Sequence, residues 1–253
     1  MGLSRRNFIQ RSAALAGVVA LPSIVSASIP SGKQKTFNGS GFKKNDVVLF
    51  QGDSITDMGR DRKNLKPNDA RALGPGYCNH AAAGLLNKMP EKQLSIYSRG
   101  ISGNKVYQLL DRWQKDCIDL KPNVLSILIG VNDYWHLRKG KYNGTIKTYE
   151  DDYRKLLTIT KKQLPDTIIV IGEPYSIDGG SAIVDRWQED FKAYRMVAKK
   201  MSREFNTLFI PYHSVYKEAL KYAPCTYWSP EGVHPTLAGA ALMAEAWQKV
   251  VLG

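Results

Sequence analysis

What most limits the folds open to this chain is how short apolar runs alternate with longer amphipathic segments beyond residue 45. Val47–Phe50, Leu94–Tyr97, Val124–Ile129, Thr167–Ile171 and Leu208–Ile210 are almost unbroken in apolar character, as strands buried on both faces are. Tyr77–Lys88, Lys105–Leu120, Tyr149–Leu164, Val184–Phe205 and Thr236–Leu252 instead repeat their apolar residues at helical spacing. Strands that alternate with helices predict parallel pairing, with helices covering both faces of the sheet. The expected fold class is therefore α/β, a three-layer α/β/α sandwich with about five strands.

The first 30 residues read as an address. Ser4-Arg5-Arg6-Asn7-Phe8-Ile9 precedes an apolar run from Ala13 to Leu21 and a small-residue stretch, Val25-Ser26-Ala27, the pattern of a cleaved export signal. The paired arginines resemble the twin-arginine type, which predicts the twin-arginine export machinery as a partner and a periplasmic or secreted destination. The run is too short for the ~20 residues that cross a bilayer, so no stable membrane anchor is expected. Residues 31–44 are expected to be a linker, and 45–253 one domain. Cys78, Cys117 and Cys225 are odd in number, which argues for buried thiols rather than a disulfide framework.

With 43% hydrophobic and 23% charged residues the composition is globular and excludes a disordered chain. The formal charge of +13 is compatible with acidic glycans, anionic lipid or nucleic acid, and charge alone does not choose among them. Much of it is Lys interspersed with Glu and Asp, as on solvated helix faces.

In an open parallel sheet the loops after the strands gather at one edge, so residues distant in sequence can meet there. After the first strand comes Gln51-Gly52-Asp53-Ser54-Ile55-Thr56, after the second Arg99-Gly100-Ile101-Ser102-Gly103-Asn104, after the third Gly130-Val131-Asn132-Asp133. Before the last helix stands Pro230-Glu231-Gly232-Val233-His234-Pro235. Ser54, at a strand-to-helix turn, offers a nucleophile and a free N–H. Gly103 lets a backbone N–H approach a substrate, and Asn132 supplies a neutral NH₂ donor. Together they form a candidate three-donor oxyanion hole. His234 is the candidate base, with Glu231 to hold its imidazolium.

These four blocks, GDSIT, ISGN, GVND and EGVHP, resemble in type and order those of the SGNH hydrolases, the GDSL-type esterases and lipases. The longer stretches Gly52–Arg60, Gly130–Trp135 and Trp228–Thr236 are similar to the branch that includes bacterial acetylxylan esterases. The resemblance implies a flavodoxin-like sheet and a serine esterase. Its catalytic residues would be Ser54, His234 and Glu231, its oxyanion hole Ser54, Gly103 and Asn132, and it would need neither metal nor organic cofactor. It further implies that Asp53 and Asp133 stabilise loops. Glu231 departs from the family, which has Asp at that position; either the longer carboxylate still orients His234 or a backbone carbonyl does so.

The expected substrate is an acetylated oligo- or polysaccharide, and nucleic acid is not an expected partner. Tyr134, Trp135 and Trp228 flank the catalytic blocks as candidate sugar platforms, each with core packing as the alternative. Arg60 is a candidate for a sugar hydroxyl or for a helix-end carboxylate. Glu173 and Tyr175, after the fourth strand, are candidates for substrate contact or loop support. His80 reads as a packing residue, His136 as a pocket rim, and His213 as a surface or capping residue. Two other functions fit the same pattern: a lipase or thioesterase of this fold, and a glycan-binding protein without catalysis.

Overall fold

The structure, a computed structural model, describes residues 41–253. The expected export signal and residues 31–40 of the expected linker lie outside the described residues. The folded unit begins earlier than residue 45: Phe42 is only 1% exposed within the core, and the Asn45 N–H donates to Lys92 O at 2.8 Å. An apolar ring with a place in the core does not remain in a linker.

Five strands form the sheet: β1 (Val47–Gly52), β2 (Ser95–Ser98), β3 (Val124–Leu128), β4 (Ile168–Gly172) and β5 (Leu208–Ile210). Their order is β2-β1-β3-β4-β5, and every pairing is parallel. The helices in chain order are α1 (Ser54–Asp57), α2 (Ala70–Leu73), α3 (Tyr77–Lys88), α4 (Val106–Asp111), α5 (Trp113–Asp116), α6 (Val131–Arg138), α7 (Ile146–Gln163), α8 (Trp187–Glu204), α9 (Tyr212–Ala219), α10 (Cys225–Trp228) and α11 (Leu237–Leu252). Right-handed crossovers send the β1–β2 connection to one face and those after β2, β3 and β4 to the other. Accordingly α3 packs on α11, while α4 packs on α7 and α7 on α8. The chain reverses direction between β1 and β3, and the loops at their carboxyl ends part to leave a crevice.

Both layers are fastened through aromatic side chains with a polar tip. On one face the Trp247 ring of α11 lies 5.1 Å from Phe50 of β1, and its Nε1 donates to Ser126 Oγ of β3 at 3.1 Å. On the other, Trp113 Nε1 donates to Thr160 Oγ1 of α7. Burial of each such ring contributes about 1.5–3 kcal/mol, and the indole N–H keeps a partner. All three cysteines are free and buried, as expected.

The single helix expected over Lys105–Leu120 is broken. Arg112 leaves helical dihedrals between α4 and α5, and its guanidinium reaches Asn104 Oδ1, Gln51 Oε1 and Asp116 Oδ2 at 2.9–3.0 Å. A half-buried arginine with three side-chain acceptors compensates for the lost helical turn.

Candidate active site

β1 ends at Gly52, where a Cβ would collide with the Leu128 carbonyl of the neighbouring strand. The chain then turns into α1. Asp53 caps it, its Oδ1 accepting the Ile55 N–H at 3.0 Å. Ser54 is the first residue of this helix, so its N–H has no acceptor within the helix. The serine is half-buried at the crevice.

His234 arrives from the opposite end of the chain, in the loop between α10 and α11. Thr236 N–H donates to Trp228 O at 2.8 Å and closes that loop, and Gly232 N–H donates to Ser229 Oγ. The segment after β4 pins it from outside, Ile177 N–H to Gly232 O and Ala182 N–H to Glu231 O. So held, His234 Nε2 lies 2.7 Å from Ser54 Oγ. Its Nδ1 faces Glu231 Oε1 in a short contact, and the same oxygen accepts the His234 backbone N–H at 2.7 Å. A carboxylate on Nδ1 places the ring proton there and leaves the Nε2 lone pair for the serine hydroxyl. The longer Glu side chain thus reaches the imidazole, and no backbone carbonyl takes its place.

Two loops complete the crevice. Gly103 has φ +83°, a conformation that excludes most side chains, and a Cβ there would meet only His136 Cε1, at 3.9 Å. Asn132, near the start of α6, is buried, and its Nδ2 donates to Asn104 O beside Gly103 at 3.3 Å. Asp57 ties the Gly103 loop to the serine's helix, its Oδ2 accepting from Ser102 N–H and Ser102 Oγ–H at 2.9 and 2.6 Å. Burial raises the Asp57 pKa, but Arg62 and Ser102 outweigh it and hold the carboxyl below its usual range. Three donors from three loops can thus face one oxygen beside a hydroxyl whose proton has an acceptor.

Asp53 and Asp133 act on backbone rather than substrate. Asp133 Oδ1 accepts the Val106 N–H that starts α4. Burial pushes each carboxyl up to about 7, and the Oδ2 of each has no protein partner.

The candidate substrate residues divide. Trp135 stays half-exposed, its ring 6.3 Å from that of His234. Tyr134 is corrected to the core, its ring 4.9–5.5 Å from Trp187, Phe191 and Tyr194. Tyr175 is corrected likewise: it is fully buried, packed on Tyr216 and hydrogen-bonded to Met243 Sδ. Trp228 is 7% exposed, its Nε1 donating to Ala223 O; it shapes the histidine loop. Arg60, also 7% exposed, donates Nε to Gly100 O at 2.9 Å and lies 3.8 Å from Asp57. It supports the second loop instead of facing a sugar. Glu173 accepts the His213 N–H at the start of α9 at 3.1 Å, which makes it a helix cap. His80 and His213 are half-buried, and His136 lies at the rim beside Gly103.

Sequence reasoning overlooked Lys105. Its Nζ is 3.2 Å from His136 Nδ1, and it sits over the rings of Tyr107 and Tyr142. The signal was available, since Lys105 follows Gly103 by two residues and His136 follows Asn132 by one helical turn.

A model of the GDSL-like Lipase/Acylhydrolase family matches residues 50–242. An acetylxylan esterase from Geobacillus stearothermophilus is 34% identical over 218 residues, which cover 84% of this chain and 95% of that protein. The crystal structure of an acetylxylan esterase from Geobacillus stearothermophilus superposes with a TM-score of 0.75 at 32% identity, over 83% of this chain and 95% of that one. A crystal structure described as a GDSL-like lipase from Parabacteroides merdae is 51% identical, with a TM-score of 0.81 over 83% of this chain and 97% of that one.

Proposed function

Since the chain belongs to the GDSL-like lipase/acylhydrolase family and is a carboxylic ester hydrolase, we propose that it removes O-acetyl groups from carbohydrate through Ser54, His234 and Glu231. The observation that carries this reading is the 2.7 Å separation of Ser54 Oγ and His234 Nε2, with the Glu231 carboxylate on the other ring nitrogen. Ser54 Oγ attacks the ester carbonyl carbon while its proton passes to His234 Nε2. The tetrahedral oxyanion accepts hydrogen bonds from Ser54 N–H, Gly103 N–H and Asn132 Nδ2. As the intermediate collapses, the sugar oxygen leaves with the proton from His234 and the acetyl group stays on Ser54. Water, deprotonated by the same imidazole, then attacks the acyl-enzyme and releases acetate and free serine.

The acetyl and carbohydrate parts of the reading rest on the acetylxylan esterase relative and on half-exposed Trp135 beside the imidazole. Export through the twin-arginine pathway belongs to the same reading and rests on Arg5 and Arg6 ahead of the apolar run. The test is acetate release from a panel of acetylated glycans by the wild-type protein and Ser54→Ala in parallel. Ser54→Ala is expected to lose at least a thousandfold in kcat. A higher kcat/KM for decanoyl than for acetyl esters would overturn the acetyl assignment.

A further inference from the structure

The two loops that flank the candidate oxyanion hole are joined just outside it by a charged contact. Asn132 and His136 succeed one another along one face of α6 at i and i+4, and Lys139 caps the end of that helix. Across the crevice, Lys105 follows Gly103 by two residues, and its ammonium lies 3.2 Å from His136 Nδ1. Lys105 is only 6% exposed. Its Nζ is 5.5 Å from the Tyr107 ring centre and 5.3 Å from that of Tyr142, and the two rings stack on each other at 5.8 Å.

A caged ammonium normally has a carboxylate beside it, because desolvation without a counter-charge is costly. Among the described residues no carboxylate comes within ion-pair distance of buried Lys105; burial lowers its pKa, and Asp133, acting from farther away, offsets this only in part. Of the three protons on Lys105 Nζ, the His136 bond uses one. Lys139 lies over the Trp135 ring at 4.4 Å, and that ring in turn adjoins His234. Burial, then the ammoniums of Lys105, Lys139 and Lys141, hold the His136 pKa below its ordinary value. The ring is therefore neutral at neutral pH and accepts from Lys105, and the positive charge of the rim stays on the lysines.

We propose that this rim is a subsite for an anionic sugar: the glycan whose acetyl group is removed bears a carboxylate or a sulfate on a neighbouring residue, bound by Lys105 with Lys139 and Lys141. The inference rests on the reading of the site as a carbohydrate esterase and names its substrate class. The anion supplies the charge-assisted hydrogen bonds that Asp133 is too far away to make, and the aromatic rings around it accept the apolar faces of the adjoining sugars. Because the acetyl oxyanion is met by uncharged donors, the lysines act on binding more than on the chemical step.

Binding is measured by calorimetry on Ser54→Ala, so that the readout does not depend on hydrolysis. Three ligands serve: a xylo-oligosaccharide with a glucuronic acid branch, the same oligosaccharide after carboxyl reduction, and one bearing a sulfate ester. The acidic branch is expected to bind at least tenfold more tightly than its reduced form, with the difference shrinking as salt is raised. Tighter binding of the sulfated ligand than of the uronate assigns sulfate as the source of the anion. Adding Lys105→Gln should cut the preference below threefold. The exposed pair Lys139→Gln/Lys141→Gln, which does not touch the buried cage, should reduce it by at least threefold and covers the case in which Lys105→Gln fails to fold. Equal affinity for the acidic, sulfated and neutral ligands, or a preference that survives the lysine changes, overturns the inference. Selective binding of the acidic ligand by Ser54→Ala, with no acetate released from any glycan by the wild-type protein, would leave the subsite standing and reject the esterase reading.

Discussion

One carboxylate oxygen of Glu231 receives both the backbone N–H and the ring Nδ1 of His234. The residue that orients the imidazole therefore also fixes the backbone that carries it. Glu231→Ala removes both contacts and is expected to lower kcat by about 10²–10⁴-fold. Glu231→Asp, shorter by one methylene but able to follow the loop, should stay within about tenfold. Steady-state kinetics on an acetyl ester measures both, and equal rates for all three forms would remove the carboxylate from the mechanism.

Asn132 is expected to act in the transition state more than in the ground state. Asn132→Ala should lower kcat by about 10²–10³-fold with a much smaller change in KM. A change confined to KM would show that the amide contacts the substrate without holding an oxyanion.

Gly103 separates space from conformation. A methyl group there meets nothing closer than His136 Cε1, yet φ of +83° is unfavourable for alanine. Gly103→Ala is therefore expected to cost about 1–2 kcal/mol of stability through the backbone. Its methyl group would also crowd the approach to the amide and lower kcat. Thermal unfolding and kinetics on the same preparation read the two effects.

Asp133 gives the fold a pH dependence of known sign. Its folded pKa of about 7 lies above the ordinary 3.8, because burial disfavours the charged form. The folded state thus keeps a proton that the unfolded chain releases. The stability this proton contributes is fully present below the unfolded pKa and is lost as pH rises toward 7. Asp133→Asn cannot ionise and retains an acceptor for the Val106 N–H. Its Tm relative to wild type is expected to improve between pH 5 and pH 8, and a constant difference would refute the shift.

Arg60→Ala tests the reassignment of a residue that its sequence position placed near the substrate. Loss of a buried guanidinium that donates to Gly100 O beside Asp57 should destabilise the protein by about 3–5 kcal/mol. The KM of the remaining folded enzyme for acetylated oligosaccharides should change by less than about threefold, because its contacts are with the protein. A large rise in KM with little loss of Tm would return Arg60 to the binding surface.

The sheet and the central site could be read from the sequence because both depend on local, periodic information. Val124–Leu128 is apolar throughout because helices cover both of its faces, and the polar residues after β1, β2 and β3 must meet at one edge once those strands are parallel. Side-chain direction is not periodic in that way. Nothing in the letters around Tyr134 and Tyr175 says that their rings turn into the core while Trp135 stays at the crevice. The break at Arg112 was illegible for a related reason, since its acceptors on Gln51 and Asn104 come from elements remote in sequence. Lys105 and His136 meet from different loops, and only the pairing of β2 and β3 around β1 brings those loops together.

The hydroxyl of residue 54 is contributed at the first strand, and its proton acceptor lies 180 positions further along. A chain synthesised from its N-terminus thus carries the nucleophile almost from the beginning, with nothing to activate it. Under the proposed mechanism hydrolysis starts only when the last helix has docked and drawn the imidazole into the crevice, so catalytic competence reports that the whole domain has finished folding.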